Sequence, residues 1–234
     1  MISGLQKMTL LDFPGKVACT VFLQGCNYRC PFCHNSELLT GRPEPLMSEE
    51  EFFAFLKTRQ GLLDGVCVSG GEPTLTPSLP EFLAQIKAMG FAVKLDTNGT
   101  RPGILKELVH GGLVDYVAMD AKNSPAQYAQ TVGVERTELA AIEESIRFLM
   151  EDRVTYELRT TLVEPLHNEA SIVEMGQWLA SLVSGKKPRQ LFLQSFVDRD
   201  TVLFSGLTAP EEDTVSHYAD ILSQYVEKIT IRNK

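Results

Sequence analysis

The sequence predicts an α/β fold, an open partial (β/α)6 barrel with parallel strands. Short strand-like runs alternate with helical patterns six times, the arrangement that yields parallel pairs joined by right-handed crossovers. The first run, residues 17–23, is apolar throughout and rich in β-branched members, as expected of a strand buried on both faces. At 234 residues the chain is two units short of a closed eight-unit barrel, which takes about 250.

Strands are expected at residues 17–23, 65–69, 91–97, 114–120, 155–162 and 190–196. The alternating run 228–232 reads as a seventh, edge strand. Helices fall between them. Ser48 and Glu51 form a capping box ahead of Phe52, Phe53 and Leu56. Residues 79–89 and 102–109 are amphipathic, the latter with Pro102 in its first turn and Gly111 as a stop. Patterns at 138–150, 170–182 and 210–226 complete the set. No linker or repeat interrupts the chain, so residues 1–234 read as one domain. In such sheets the ligand lies beyond the carboxyl ends of the strands, which directs the search for a site.

The composition, 44% hydrophobic and 22% charged, is that of an ordinary globular protein. No apolar run reaches the ~18–20 residues of a membrane span, and the first residues lack the features of an export signal. A cytoplasmic protein without a membrane partner is expected. A net charge of −8 with scattered Lys and Arg argues against nucleic-acid binding. The densest basic group, Lys186, Lys187 and Arg189, reads as a solvated loop. Five cysteines, three of them within eight residues, point to a metal site in a reducing compartment rather than to disulfides.

Cys26, Cys30 and Cys33 follow the first expected strand in one compact loop. Three thiolates can reach three irons of a cubane and leave the fourth iron open to a chelating cosubstrate. Zinc bound by these cysteines and His34 is the rival, although two adjacent residues are awkward ligands of one tetrahedral ion. Cys19 and Cys67 lie inside strands and read as small core residues.

The CxxxCxΦC spacing, with Phe32 before the third cysteine, resembles the radical S-adenosylmethionine (SAM) superfamily. The resemblance implies that Cys26, Cys30 and Cys33 bind a [4Fe–4S] cluster, that SAM chelates its fourth iron, and that Phe32 packs near the adenine. Ser69-Gly70-Gly71-Glu72-Pro73 at the next strand end matches the superfamily's GGE motif, which contacts the methionine amino group. By itself GGEP is also a plain turn; its glycines would let backbone carbonyls approach a ligand.

Asp96-Thr97-Asn98-Gly99 and Met119-Asp120-Ala121-Lys122 end the third and fourth expected strands. They resemble the segments of pyruvate formate-lyase activating enzymes that hold a monovalent cation and touch the cofactor. That resemblance makes Asp96, Thr97 and Asp120 candidate cation ligands and Lys122 a contact to the cofactor carboxylate; an Asp–Lys pair without any metal is the alternative. Arg159 and Gln194 are polar members of apolar strands, placed to reach ribose or carboxylate or to serve the structure alone. In the formate-lyase activases the sixth strand delivers a His near the ribose, where this chain has Gln194.

Residues 9–35, with DFPG, FLQGC and PFCHN, look like the activating protein of anaerobic ribonucleoside-triphosphate reductase. The function this implies is a glycyl-radical enzyme activase. SAM is cleaved reductively to a 5′-deoxyadenosyl radical, which takes the Cα hydrogen of a partner's glycine. The partners implied are a glycyl-radical enzyme and an electron donor such as flavodoxin or ferredoxin, with Lys16 and Arg29 as candidates for a local basic patch. The turn Asp12-Phe13-Pro14-Gly15 is expected to line the entrance for the partner's loop. Two rival functions stand beside this one: a radical SAM enzyme acting on a small molecule such as a pterin, like the 7-carboxy-7-deazaguanine synthases, and a non-catalytic zinc module.

Overall fold

The computed structural model describes residues 2–39 and 46–232. Its strands are β1 (Ile2–Thr9), β2 (Ala18–Leu23), β3 (Gly65–Gly70), β4 (Ala92–Thr97), β5 (Tyr116–Asp120), β6 (Thr155–Leu162), β7 (Gln190–Ser195) and β8 (Lys228–Arg232). Its helices are α1 (Glu49–Lys57), α2 (Leu79–Ala88), α3 (Pro102–His110), α4 (Tyr128–Thr131), α5 (Leu139–Leu149), α6 (Glu169–Ser181) and α7 (Glu212–Ser223). The strands stand in chain order in one eight-stranded sheet, with β1 and β8 at its ends. β2–β3, β3–β4, β6–β7 and β7–β8 pair in parallel, as the βα alternation requires. The expected α/β fold with an open, mostly parallel sheet is borne out.

The chain divides into two compact units: Met1–Asn27, Glu37–Ala118 and Arg153–Thr155 form one, and Tyr28–Ser36, Met119–Asp152 and Tyr156–Lys234 the other. In the first, Ser48 Oγ accepts from Glu51 N–H while the Glu51 carboxylate accepts from Ser48 N–H, the expected capping box of α1. Phe52 and Leu56 of α1 and Leu79, Phe82, Leu83 and Ile86 of α2 turn one apolar stripe inward, and the Phe52 and Phe82 rings stack at 5.4 Å. In the second unit Ile142, Ile146 and Leu149 of α5 and Ile172, Met175 and Leu179 of α6 are fully buried. There the Tyr128 ring meets the Trp178 edge at 6.1 Å.

Three features differ from expectation. β1 runs antiparallel along β2 with two register irregularities, yet its polar, Gly-containing sequence carries no clear alternation. The single-turn α4 is too short to show a helical period. The turn at Asp12–Gly15 lies before β2, whereas Cys26 follows it. Six strand residues rise about 20 Å, so this turn is at the amino end of β2 and the cysteine loop at the carboxyl end. Phe13 is buried there against Tyr116, at 6.0 Å between rings, and Thr20 Oγ1 donates to the Asp12 carboxylate at 2.5 Å. Asp12–Gly15 therefore does not line the mouth of the sheet. Lys16, over the Phe13 ring at 5.7 Å, is equally remote from Cys26 and drops out of any basic patch there.

Among the described residues no helix is long and apolar enough to cross a membrane.

Candidate functional site

In the first unit the carboxyl ends of β2, β3 and β4 are laced together. Gly71 N–H donates to Leu23 O at 2.9 Å and Glu72 N–H to Gly25 O at 2.7 Å. A Cβ on Gly70 would overlap the Leu23 backbone, and one on Gly71 would overlap the Gly25 carbonyl oxygen; Gly70 also sits at φ +125°. The GG pair thus admits the chain's own backbone, the stretch that delivers Cys26. Asn98 Nδ2 donates to Asn27 Oδ1 at 2.9 Å, and Asn27 Nδ2 to Thr100 Oγ1 at 3.0 Å, so Cys26 is flanked by two anchored residues.

Glu72 is the hub of this end. It is 1% exposed, and its carboxylate accepts from Thr74 Oγ1 at 2.5 Å, Thr97 Oγ1 at 2.7 Å and Asn98 N–H at 2.6 Å. Burial pushes its pKa up, against the pull of the bonds from Thr74, Asn98 and Thr97. The acid of the GGE motif therefore joins the β3 end to the Asp96–Gly99 segment, and Thr97 Oγ1 in turn accepts from Gly99 N–H at 3.1 Å.

Parallel register puts Cys67 opposite Lys94, and the two-residue period sets Ser69 and Asp96 on that same face. Lys94 is 2% exposed; its ammonium is paired with Asp96 and lies 3.7 Å from the Cys67 sulfur. Ser69 Oγ donates to the second Asp96 oxygen at 3.1 Å. Sequence reading passed over Lys94, although a Lys two residues before an Asp in a buried strand marks both on one face.

In the second unit Arg29 N–H donates to Val132 O at 2.9 Å, and a Cβ on Gly133, at φ +67°, would overlap the Arg29 carbonyl. This anchors the chain just before Cys30. Phe32 is buried with Val163 and Phe196, and Cys30 packs against that group. His34 Nε2 is bonded to Val197 O at 2.7 Å, and its ring lies 5.8 Å from Phe196.

Asp120 is met on both oxygens, by Lys122 Nζ at 2.8 Å and Arg159 Nε at 3.0 Å. The Lys122 ammonium also sits over the Phe32 ring at 5.8 Å. Burial alone would lower the Lys122 pKa, but Asp120 and the neighbouring Cys30 outweigh it and hold the ammonium above its ordinary range. Gln194, half-buried on β7, shares the sheet face of Arg159.

His167 was not foreseen, since nothing near it in sequence marks it. It is 3% exposed; Nδ1 accepts from Val163 N–H at 3.1 Å and Nε2 donates to Lys122 O at 2.9 Å. Burial lowers its pKa, which keeps the ring neutral and suited to this double role.

Cys26, Cys30 and Cys33 form no disulfide and are partly exposed, while Cys19 and Cys67 are buried as expected. Burial pushes the Cys19 thiol up to about 12, which suits a core residue and not a ligand. Each of the three is an accessible sulfur donor, the kind of ligand an iron–sulfur cluster takes. Among the described residues no three His, Cys, Asp or Glu side chains converge as they would about a single metal ion.

A family model, the radical SAM superfamily, matches residues 20–179. A Methanocaldococcus jannaschii protein, provisionally described as a glycyl-radical enzyme activating enzyme, is 31% identical over 242 residues, spanning 99% of this chain and 95% of its own. A 7-carboxy-7-deazaguanine synthase of Thermococcus kodakarensis is 29% identical over 185 residues, 70% of this chain and 69% of that one. A solved domain of a pyruvate-formate lyase-activating enzyme from Bacteroides vulgatus has a TM-score of 0.58 at 25% identity, covering 72% of this chain and 99% of the domain. The α/β fold, the accessible cysteines and the family match agree: this chain belongs to the radical SAM superfamily and is an enzyme that uses a [4Fe–4S] cluster and S-adenosylmethionine.

Proposed function

We propose that this enzyme is a glycyl-radical enzyme activase, and that its partner is an anaerobic ribonucleoside-triphosphate reductase. The observation that carries the activase reading is the end-to-end likeness to the M. jannaschii relative, 99% of this chain against 95% of that one. The choice of partner rests on the resemblance of residues 9–35 described above.

In this reading Cys26, Cys30 and Cys33 hold the cluster. Bound there, the cluster and SAM would supply radical chemistry: one electron to the sulfonium would break its C5′–S bond, giving methionine and a 5′-deoxyadenosyl radical able to take the glycine hydrogen. The protein's own part is placement. Gly70, Gly71 and Glu72 fix the stretch before Cys26 and present backbone to the methionine amino group. Lys122, held by Asp120 and by the His167 bond to its carbonyl, receives the methionine carboxylate. Phe32 faces the adenine, and Arg159 and Gln194 share the sheet face on which ribose would lie.

The test is anaerobic incubation of reconstituted, reduced enzyme with SAM and the reductase, scoring 5′-deoxyadenosine and the glycyl-radical resonance of the partner. The resonance should appear only with SAM and be lost with Cys30→Ala. Turnover of SAM with a pterin but not with the reductase would replace this reading with that of a small-molecule enzyme, which the likeness to the T. kodakarensis synthase favours over other rivals.

A further inference from the structure

The three residues that the formate-lyase activase resemblance nominates for a monovalent cation are already engaged. In the first unit the buried Lys94 ammonium is paired with Asp96, whose other oxygen accepts from Ser69 Oγ at 3.1 Å. Thr97 Oγ1 donates to Glu72 and accepts from Gly99 N–H. In the second unit Lys122 and Arg159 take both oxygens of Asp120. A metal ion at either carboxylate would sit a few ångströms from a fixed positive charge, where repulsion is strong because little water intervenes. The donor set does not fit a monovalent cation.

We infer that Lys94 is a built-in counter-ion: its ammonium occupies the charge position at Asp96 that the resemblance assigns to a monovalent cation, and this enzyme needs neither potassium nor sodium. The side chain is suited to the task. It is 2% exposed on β4, it shares a sheet face with Asp96, and its neighbours on that face are Cys67 and Ser69. A buried ammonium persists only with a partner, so the Lys94–Asp96 pair is a fixed part of the fold and does not exchange with salt. Lys94 is thus a positioning residue for Asp96, not a group that touches the reacting atoms.

The inference rests on the SAM chemistry proposed above, and its test separates the two. Reconstituted enzyme is compared in tetramethylammonium, sodium and potassium chloride at a constant ionic strength of about 0.1 M. The readouts are the change that SAM causes in the electron-spin resonance of the reduced cluster, the 5′-deoxyadenosine yield, and the sodium-23 line width, which needs no turnover. Wild type should differ by less than about twofold among the salts and leave the sodium line unbroadened. Lys94→Met should lose about tenfold or more in SAM affinity, regain most of it in sodium or potassium, and broaden the sodium line. Lys94→Arg should behave as wild type.

A wild-type requirement for sodium or potassium overturns the inference. So does a sodium line broadened by wild type and restored by Asp96→Asn, or a folded Lys94→Met that no cation rescues. If Lys94→Met does not fold, the wild-type salt comparison and sodium line decide by themselves. Absence of 5′-deoxyadenosine in every salt refutes the SAM chemistry, and the sodium line then still decides the role of Lys94.

Discussion

His167 Nε2 donates to the Lys122 carbonyl oxygen at 2.9 Å, so a buried imidazole holds the backbone of a lysine that pairs with Asp120. Burial depresses the His167 pKa in the folded state, and the unfolded chain therefore binds the proton more readily below about 6.5. This contribution to stability is complete above that pH and is lost as pH falls through it. Thermal melts should show a falling transition temperature from neutral pH to mildly acidic pH. His167→Gln should melt lower at neutral pH but with a flatter slope; an unchanged slope would remove His167 as the cause.

Each of Cys26→Ala, Cys30→Ala and Cys33→Ala should abolish cluster retention, read as iron and sulfide per chain and as the visible absorption of the reconstituted protein. Cys19→Ser and Cys67→Ser put a hydroxyl into buried positions. They should keep the cluster and cost about 1–3 kcal/mol in urea unfolding.

Gly71→Ala must move the Gly25 carbonyl, hence the stretch that carries Cys26. Gly133→Ala meets the Arg29 carbonyl and a positive φ as well. Each should cost about 3 kcal/mol in urea unfolding and lower iron retention in the folded fraction. Gly103, whose Cβ would meet open space, is the control: Gly103→Ala should leave both unchanged or slightly improved.

Glu72→Gln replaces one carboxylate oxygen with an amide that faces hydrogen-bond donors. Because Thr74, Thr97 and Asn98 all donate to this side chain, one of them must lose its acceptor in the buried site. A loss of about 3 kcal/mol is expected by chemical denaturation. Stability equal to wild type would mean that the three donors do not share the carboxylate as described.

Asp12→Ala tests the correction at the amino end of β2. It removes the acceptor of the Thr20 hydroxyl and should cost about 1–2 kcal/mol in urea unfolding. Formation of 5′-deoxyadenosine per folded molecule should stay at the wild-type level; a large fall would return this turn to the mouth of the sheet.

Much of this architecture was legible in the linear chain. The strands from residue 17 to 196 and the longer helices between them follow from local periodicity, which depends on neighbours two to four residues apart. The CxxxCxΦC and GGE segments were legible because their chemistry requires particular residue types at short spacing. β1 was not, since its pairing with β2 depends on a distant partner rather than on its own pattern.

The sequence by itself determined the α/β class, the cysteines available as ligands and the family to which the chain belongs. Only the tertiary structure decided how the charges are matched. It set Lys94 against Asp96, placed Asp120 between Lys122 and Arg159, turned Glu72 inward to Thr74, Thr97 and Asn98, and sent Asp12 to the far end of β2. The reason is physical: a side chain's charge is present in the sequence, but its partner depends on strand register and direction, which the folded sheet alone supplies.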